Sequence, residues 1–176
     1  MLSAAAGNHG QRLDPDAVAK EMNFAFPAWA AIAAARDIIL KTSAYLDRGE
    51  NFIIETTLAG SGPIKTIVRA REAGFYSRLI YVCVESSERS IQRVQERVAR
   101  GGHDVPDEDV RRRYTRSLEN LIVAARIADE TTVFDNSGSR LEPVFEARRG
   151  VIVSLGPSIP AWATRAIQEL TIQPNL

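Results

Sequence analysis

Between Arg89 and Leu121 the chain concentrates eight of its nineteen arginines: Arg89, Arg93, Arg97, Arg100, Arg111, Arg112, Arg113 and Arg116. The first four recur at i, i+4, i+8 and i+11, which is one face of a helix. Guanidinium groups stacked that way repel one another, so nearby carboxylates or an anionic ligand must compensate. Planar guanidinium forks match phosphate oxygens, and the chemistry this spacing suits is the gripping of a phosphoryl group. A Gly101-Gly102-His103 turn and Pro106 separate the two basic halves, as in a lid. The competing reading is a solvated helix face whose arginines pair with Glu96, Glu108 or Asp109.

The remaining candidates are carboxylates and hydroxyls at the ends of apolar runs: Glu55-Thr56-Thr57, Glu85-Ser86 and Asp135-Asn136. In α/β folds ligands bind at the carboxyl ends of the strands, so these groups would gather on the rim that the arginine helices could cover. Each has a plainer reading. A glutamate at a strand end is usually satisfied by an amide or an arginine. Threonine is common in strands for packing reasons, and Asp-Asn-Ser is an ordinary turn. No metal set is expected, because the only other histidine, His9, lies in a terminus without pattern.

Positioning these groups requires alternating helices and strands. Ala28–Leu46 has helical composition, begins after Pro27 and stops near Gly49. The apolar run 51–57 and the run 78–84 read as buried parallel strands. Ser61-Gly62-Pro63 opens a helix that closes at Gly74. Ser86 or Ser87 caps the arginine helix, which ends at Gly101-Gly102. Asp107 can cap the next helix, with Glu108 and Asp109 favourable in its first turn. Residues 131–135 form a third strand, 142–147 and 151–155 a hairpin turning at Arg149-Gly150, and 157–170 a proline-interrupted tail with a short helix. The class is α/β, a mostly parallel sheet flanked by helices with a C-terminal hairpin. Residues 1–12 are expected to be loose, 13–140 to form the main domain, and 141–176 to complete that domain.

Composition narrows the function. Net charge is zero, so the arginines are a local concentration and not a general surface for nucleic acid. The single cysteine, Cys83, rules out an internal disulfide framework and suits a reducing compartment. No targeting segment or membrane-length apolar run is evident, and a cytoplasmic location is expected.

Three blocks together resemble the zeta toxin family of P-loop kinases. They are Leu13-Asp14-Pro15-Asp16-Ala17-Val18-Ala19, then Phe52-Ile53-Ile54-Glu55-Thr56-Thr57-Leu58-Ala59-Gly60, then Arg93 through Gly101-Gly102-His103-Asp104-Val105-Pro106 to Arg113-Tyr114. Asp135-Asn136-Ser137 adds a fourth. The resemblance implies an ATP- and Mg²⁺-dependent phosphorylation of a hydroxyl on UDP-N-acetylglucosamine or a related nucleotide sugar, in some members held in check by an antitoxin. It implies Asp16 as the general base, where the plainer reading is a helix cap on Asp14 or Asp16. Glu55 and Thr57 match the substrate-binding strand end. Arg93, Arg97, Arg100 and Arg113 match the lid, with Arg97 and Arg100 closest to catalysis. His103 either touches phosphate or substrate or only fixes the lid turn. Asn136 resembles the adenine-side loop.

One part of that pattern is missing. A P-loop needs strand, GxxxxGK[ST] and helix, because backbone amides wrap the phosphates while lysine and hydroxyl serve phosphate and magnesium. The 176 residues contain no such motif, and Lys20, Lys41 and Lys65 do not sit in one. Either the motif lies upstream of Met1, or the chain is a relative that binds without transferring phosphate. Little or no kinase activity is expected of the sequence as it stands. Loss of a central strand would also leave sheet edges open to self-association.

Overall fold

A computed structural model describes residues 10–14, 17–18 and 27–172. The chain divides into two compact units, Met1–Thr56 with Arg69–Phe75, and Thr57–Val68 with Tyr76–Leu176.

In the first unit, β1 (Gln11–Leu13) pairs in parallel with β2 (Phe52–Ile54), Gln11 opposite Phe52 and Leu13 opposite Ile54. Gln11 and Arg12 were expected in a loose segment. Pairing orders them, a tertiary effect that no local periodicity announces. The long helix α1 (Pro27–Arg48) follows, built from alanine and leucine-type residues with high helix propensity. Its Tyr45 stacks on Phe52 with ring centroids 5.9 Å apart and donates through its hydroxyl to Gln11 Oε1 at 2.8 Å.

Helix α2 (Ser61–Glu72) has residues in both units. The second unit then alternates as expected: β3 (Arg78–Cys83), α3 (Ser87–Ala99), α4 (Asp107–Ile127) and β4 (Glu130–Asp135). β5 (Glu142–Arg148), β6 (Val151–Leu155), a 3₁₀ turn (Ala161–Ala163) and α5 (Thr164–Ile172) complete it. Its sheet runs β3-β4-β5-β6, with β3 and β4 parallel and the other two pairs antiparallel. Of the four described strand pairs two are therefore parallel, a smaller share than expected. The connections after β4 and at Arg149-Gly150 are too short for a crossover, so those strands can only return antiparallel.

One face of this sheet carries the core. Tyr81 and Cys83 of β3, Val133 of β4 and Phe145 and Ala147 of β5 pack with Leu121, Ile122 and Ala125 of α4 and Ala166 and Leu170 of α5. Leu58 inserts into the same core, 2% exposed, with φ 59°. A leucine held in the left-handed region is costly, and burial of its side chain is what offsets that cost. On β3 the alternate residues Ile80 and Val82 stay exposed, as do Val153 and Leu155 of β6. Helix α4 begins after Pro106, which supplies no side-chain cap, so Asp107 is the first helical residue and not the cap. Its carboxylate, with Glu108 and Asp109, still favours the positive end of the helix.

Candidate functional site: an arginine concavity

The site is assembled by α3 and the two turns that flank it. Ser86 starts the helix from an extended conformation, and its Oγ accepts the Arg89 amide at 3.1 Å. This is the cap expected from the sequence. At the other end, the amides of Gly101 and Gly102 donate to the carbonyls of Val98 and Arg97, both at 2.9 Å. Gly101 has φ 85°, the left-handed geometry that ends helices. Gly102 is required for a different reason: a Cβ there would lie 2.8 Å from the Arg97 carbonyl oxygen and 2.5 Å from its Cγ. The Gly-Gly pair therefore lets the chain fold back against Arg97. Arg97 Nη2 then donates to the His103 carbonyl at 3.1 Å, tying helix to turn.

Arg93, Glu96, Arg97, Arg100, Gly101, Gly102 and Asn136 line one open concavity of about 480 Å³. Arg93 reaches from α3 to the end of β4, donating through Nη2 to the Asn136 carbonyl. The Asn136 amide donates to the Cys83 carbonyl at 2.7 Å, which continues the β3–β4 pairing by one residue. Asn136 is thus fixed by its backbone at the edge of the concavity.

The charge balance is uneven across the two helices. Arg111 pairs with Glu88 at 3.3 Å, and Arg112 with Asp109 at 2.7 Å. Among the described residues no carboxylate lies within ion-pairing distance of Arg93, Arg97, Arg100, Arg113 or Arg116. Three guanidinium groups without a direct ion pair among the described residues thus line one hollow, with Glu96 the one carboxylate beside them. Arg97 stands in the last turn of α3 and Arg100 at its C-cap, so the negative helix end relieves part of their repulsion. Two carboxyls border the helix start. Glu85 sits below its ordinary range, first through its proximity to the Ser137 hydroxyl, then through its own amide and the charges of Arg89 and Arg93. Glu88 is lowered by its own amide, by the Ser87 hydroxyl and by Arg111. Both stay ionised, so the cationic hollow has an anionic shoulder at the other end of the helix.

A family model described as Zeta toxin matches residues 34–142, which span this arrangement from α1 to the residue after Leu141. The chain belongs to the zeta toxin family. An uncharacterized protein of Haemophilus influenzae is 32% identical over 102 residues, covering 58% of this chain and 73% of that protein. A chain from the structure of the PezAT chromosomal toxin–antitoxin system of Streptococcus pneumoniae superposes with a TM-score of 0.51. It is 14% identical and the match covers 95% of this chain and 69% of that one, a likeness of fold.

Of the residues that resemblance to zeta toxins suggested, the structure brings four together: Arg93, Arg97, Arg100 and Asn136. His103 joins them through its carbonyl and not through its ring. Arg113 is exposed on α4 and does not line the concavity. Glu55 belongs to the first unit, where it is 48% exposed and ion-paired to Arg12 at 2.6 Å. This is the plainer role of a strand-end glutamate, with exposure in place of the expected burial. Thr57, exposed, opens the second unit beside Leu58. Asp16 lies outside the described residues, as do His9 and Lys20. Asp14 is the local cap, its Oδ1 accepting the Ala17 amide at 3.4 Å.

Asn120 escaped sequence reasoning, while Glu96 and Asp135, both named from the sequence, take parts that it did not assign them. Glu96 lines the concavity among the arginines it was expected to neutralise. Asn120 donates through Nδ2 to the Leu58 carbonyl at 2.7 Å and so fixes the loop after Thr57. Asp135 accepts from the Ser137 hydroxyl at 2.6 Å. Asn120 carries no local signal, since it acts on a partner distant in sequence.

The site fits a polyphosphate, because three guanidinium groups without a direct ion pair among the described residues line one hollow. It offers less to magnesium. Among the described residues no group of three or more His, Cys, Asp or Glu converges on a point. Mg²⁺ would thus depend on phosphate oxygens and solvent for most of its ligands. Among the described residues, no helix is long and apolar enough to cross a membrane.

Proposed function

We propose that the chain serves a zeta toxin-type phosphotransferase, which moves the γ-phosphoryl group of ATP to a hydroxyl of UDP-N-acetylglucosamine or a related nucleotide sugar. The observation that carries this reading is the convergence of Arg93, Arg97 and Arg100, none of them ion-paired among the described residues, on a hollow that also holds Asn136. In such a transfer the acceptor oxygen bonds to the γ-phosphorus while the bond to the β–γ bridging oxygen breaks, releasing ADP. The hydroxyl proton must pass to a base, the role proposed for Asp16. Charge spread over the phosphoryl oxygens is met by pre-placed guanidinium groups, which lowers the barrier without reorganisation. Glu55, Thr57, His103 and Arg113 are proposed to face the acceptor substrate.

The 176 residues contain no GxxxxGK[ST], and in a second reading the same hollow binds nucleotide without turnover. Both readings predict binding, and they part on catalysis. Calorimetry of the purified chain with ATP and with UDP-N-acetylglucosamine, followed by a phosphotransfer assay, separates them. Binding with turnover below ordinary kinase rates supports the second reading. Turnover at ordinary rates that is lost in Asp16→Ala supports the first. No binding of either ligand rejects both. A small antitoxin protein is proposed as a partner, on the strength of the family and of the toxin–antitoxin system that supplies the fold match.

A further inference from the structure

We infer that Trp162 is a positioning residue of the arginine hollow, acting through Asp135. The indole Nε1 donates to Asp135 Oδ1 at 3.1 Å, and the same oxygen accepts the Ser137 hydroxyl at 2.6 Å. Between Asp135 and Ser137 lies Asn136, whose carbonyl receives Arg93 and whose amide donates to Cys83. The loop is thus held on both sides of the one residue it contributes to the hollow. Without the indole, the Asp135 side chain keeps only the hydroxyl of its near neighbour, while its backbone stays paired with β3 and β5.

The anchor is rigid because the indole is itself packed. Trp162 sits in the 3₁₀ turn against the core, its ring 6.3 Å from that of Tyr81. The next residue, Ala163, is fully buried. Tyr81 donates to or accepts from Ser117 of α4 at 3.0 Å, so sheet, helix and turn hold one geometry. Trp162 lies beyond the family-matched segment 34–142. The C-terminal hairpin and turn, which add no side chain to the hollow, thereby acquire a part in its shape.

The ligand-binding consequence rests on the phosphate reading proposed above, and the test keeps the two apart. The variant is Trp162→Phe, which retains an aromatic ring and removes the donor. In ¹⁵N spectra of the ligand-free chain, the Asn136 amide and the Arg93 side-chain Nε–H signals are expected to shift or broaden. Signals of the distant Asp129 network should hold. Unchanged Asn136 and Arg93 signals overturn the inference, whatever the ligand does. A second pair covers the case in which Trp162→Phe fails to fold: Asp135→Asn keeps an Oδ1 acceptor and should preserve both signals, whereas Asp135→Ala should lose them. If Asn and Ala behave alike, the inference is overturned. ATP is then titrated into wild type and Trp162→Phe. A roughly three- to tenfold weaker affinity is expected, the scale of one typical lost hydrogen bond. Failure of wild type to bind ATP rejects the phosphate reading alone, because the spectra have already judged the positioning role.

Discussion

Arg97 and Gly102 are in mutual contact across the end of α3: the glycine amide donates to the Arg97 carbonyl at 2.9 Å, and the space a Cβ would need is filled by Arg97 itself. The turn and the arginine therefore determine each other. Gly102→Ala is expected to cost about 1–3 kcal/mol, the usual cost of overpacking, because a backbone oxygen cannot move aside as a side chain would. It should also displace Arg97 and weaken ATP binding. Gly101→Ala meets no atom within 4 Å but carries the left-handed φ, so it should cost about 1–2 kcal/mol. Its effect on ATP affinity should be the smaller of the two. Urea denaturation and calorimetry on both variants check the ordering.

Charge compensation predicts a contrast between two neighbouring helices. Arg112 is already paired with Asp109, whereas Arg100 lines the hollow with no carboxylate in reach among the described residues. Arg100→Ala should lower ATP affinity by about tenfold, consistent with one lost charge-assisted contact. Stability should be unchanged or slightly higher, because one member of a repelling stack is gone. Arg112→Ala should leave affinity unchanged. Raising ionic strength should weaken wild-type binding more than that of the Arg100→Ala variant. Equal losses in the two variants would mean that the hollow is not where ATP binds.

These contrasts mark what the sequence could and could not show. Helix α3 was legible throughout: Ser86 at its start, arginines on one face, and Gly101 at its end all act within a few residues. The hairpin at Arg149-Gly150 was legible for the same reason. Which arginines stay unpaired was not, because it depends on Glu88 crossing to Arg111 on another helix and on Glu96 pairing with none of them. Strand β1 was missed because three residues, Gln11, Arg12 and Leu13, become a strand only when β2 arrives from forty residues away. Trp162 falls in the segment read only as a proline-interrupted tail, and its partnership with Asp135 can be found only in three dimensions.

At the opposite end of β4 from the hollow, Asp129 forms a network that should set acid stability. Its carboxylate is 7% exposed and accepts the Ser77 amide at 2.8 Å, the Ser77 hydroxyl at 3.1 Å, and Arg149 Nε and Nη2 at 3.1 and 3.0 Å. Burial alone would raise its pKa, but the Ser77 amide, Arg149 and the Ser77 hydroxyl together bring it below the usual aspartate value. The folded chain then holds fewer protons here than the unfolded one, so stability rises with pH through this window. The contribution is complete above about pH 4, the unfolded aspartate range, and is lost as pH falls through the lower folded value. Asp129→Ala should cost about 1–3 kcal/mol at pH 7, since it strands the Ser77 amide. It should also flatten the fall in stability below pH 4. Melting curves from pH 7 to pH 2 measure both effects, and an equally steep acid fall in the variant would reject this role.

Asn120 offers the sharpest ordering of variants. Its Nδ2 donates to the Leu58 carbonyl at 2.7 Å and reaches the Gly60 carbonyl at 3.4 Å, so the side chain is needed as a donor to two acceptors. Asn120→Ala removes the donor and should cost about 1 kcal/mol, the net value of a typical hydrogen bond. Asn120→Asp has nearly the same shape but at neutral pH presents only acceptors to those carbonyls. It should therefore be less stable than the alanine variant at pH 7, despite the closer size. A carboxyl facing carbonyl oxygens has a raised pKa, because its protonated form can donate where its charged form is repelled. Protonation restores a donor, so the aspartate variant should recover relative to alanine as pH falls through that raised value. Urea denaturation at pH 7 and pH 4 tests this crossover. If aspartate matched asparagine at pH 7, the Leu58 carbonyl would not depend on Asn120.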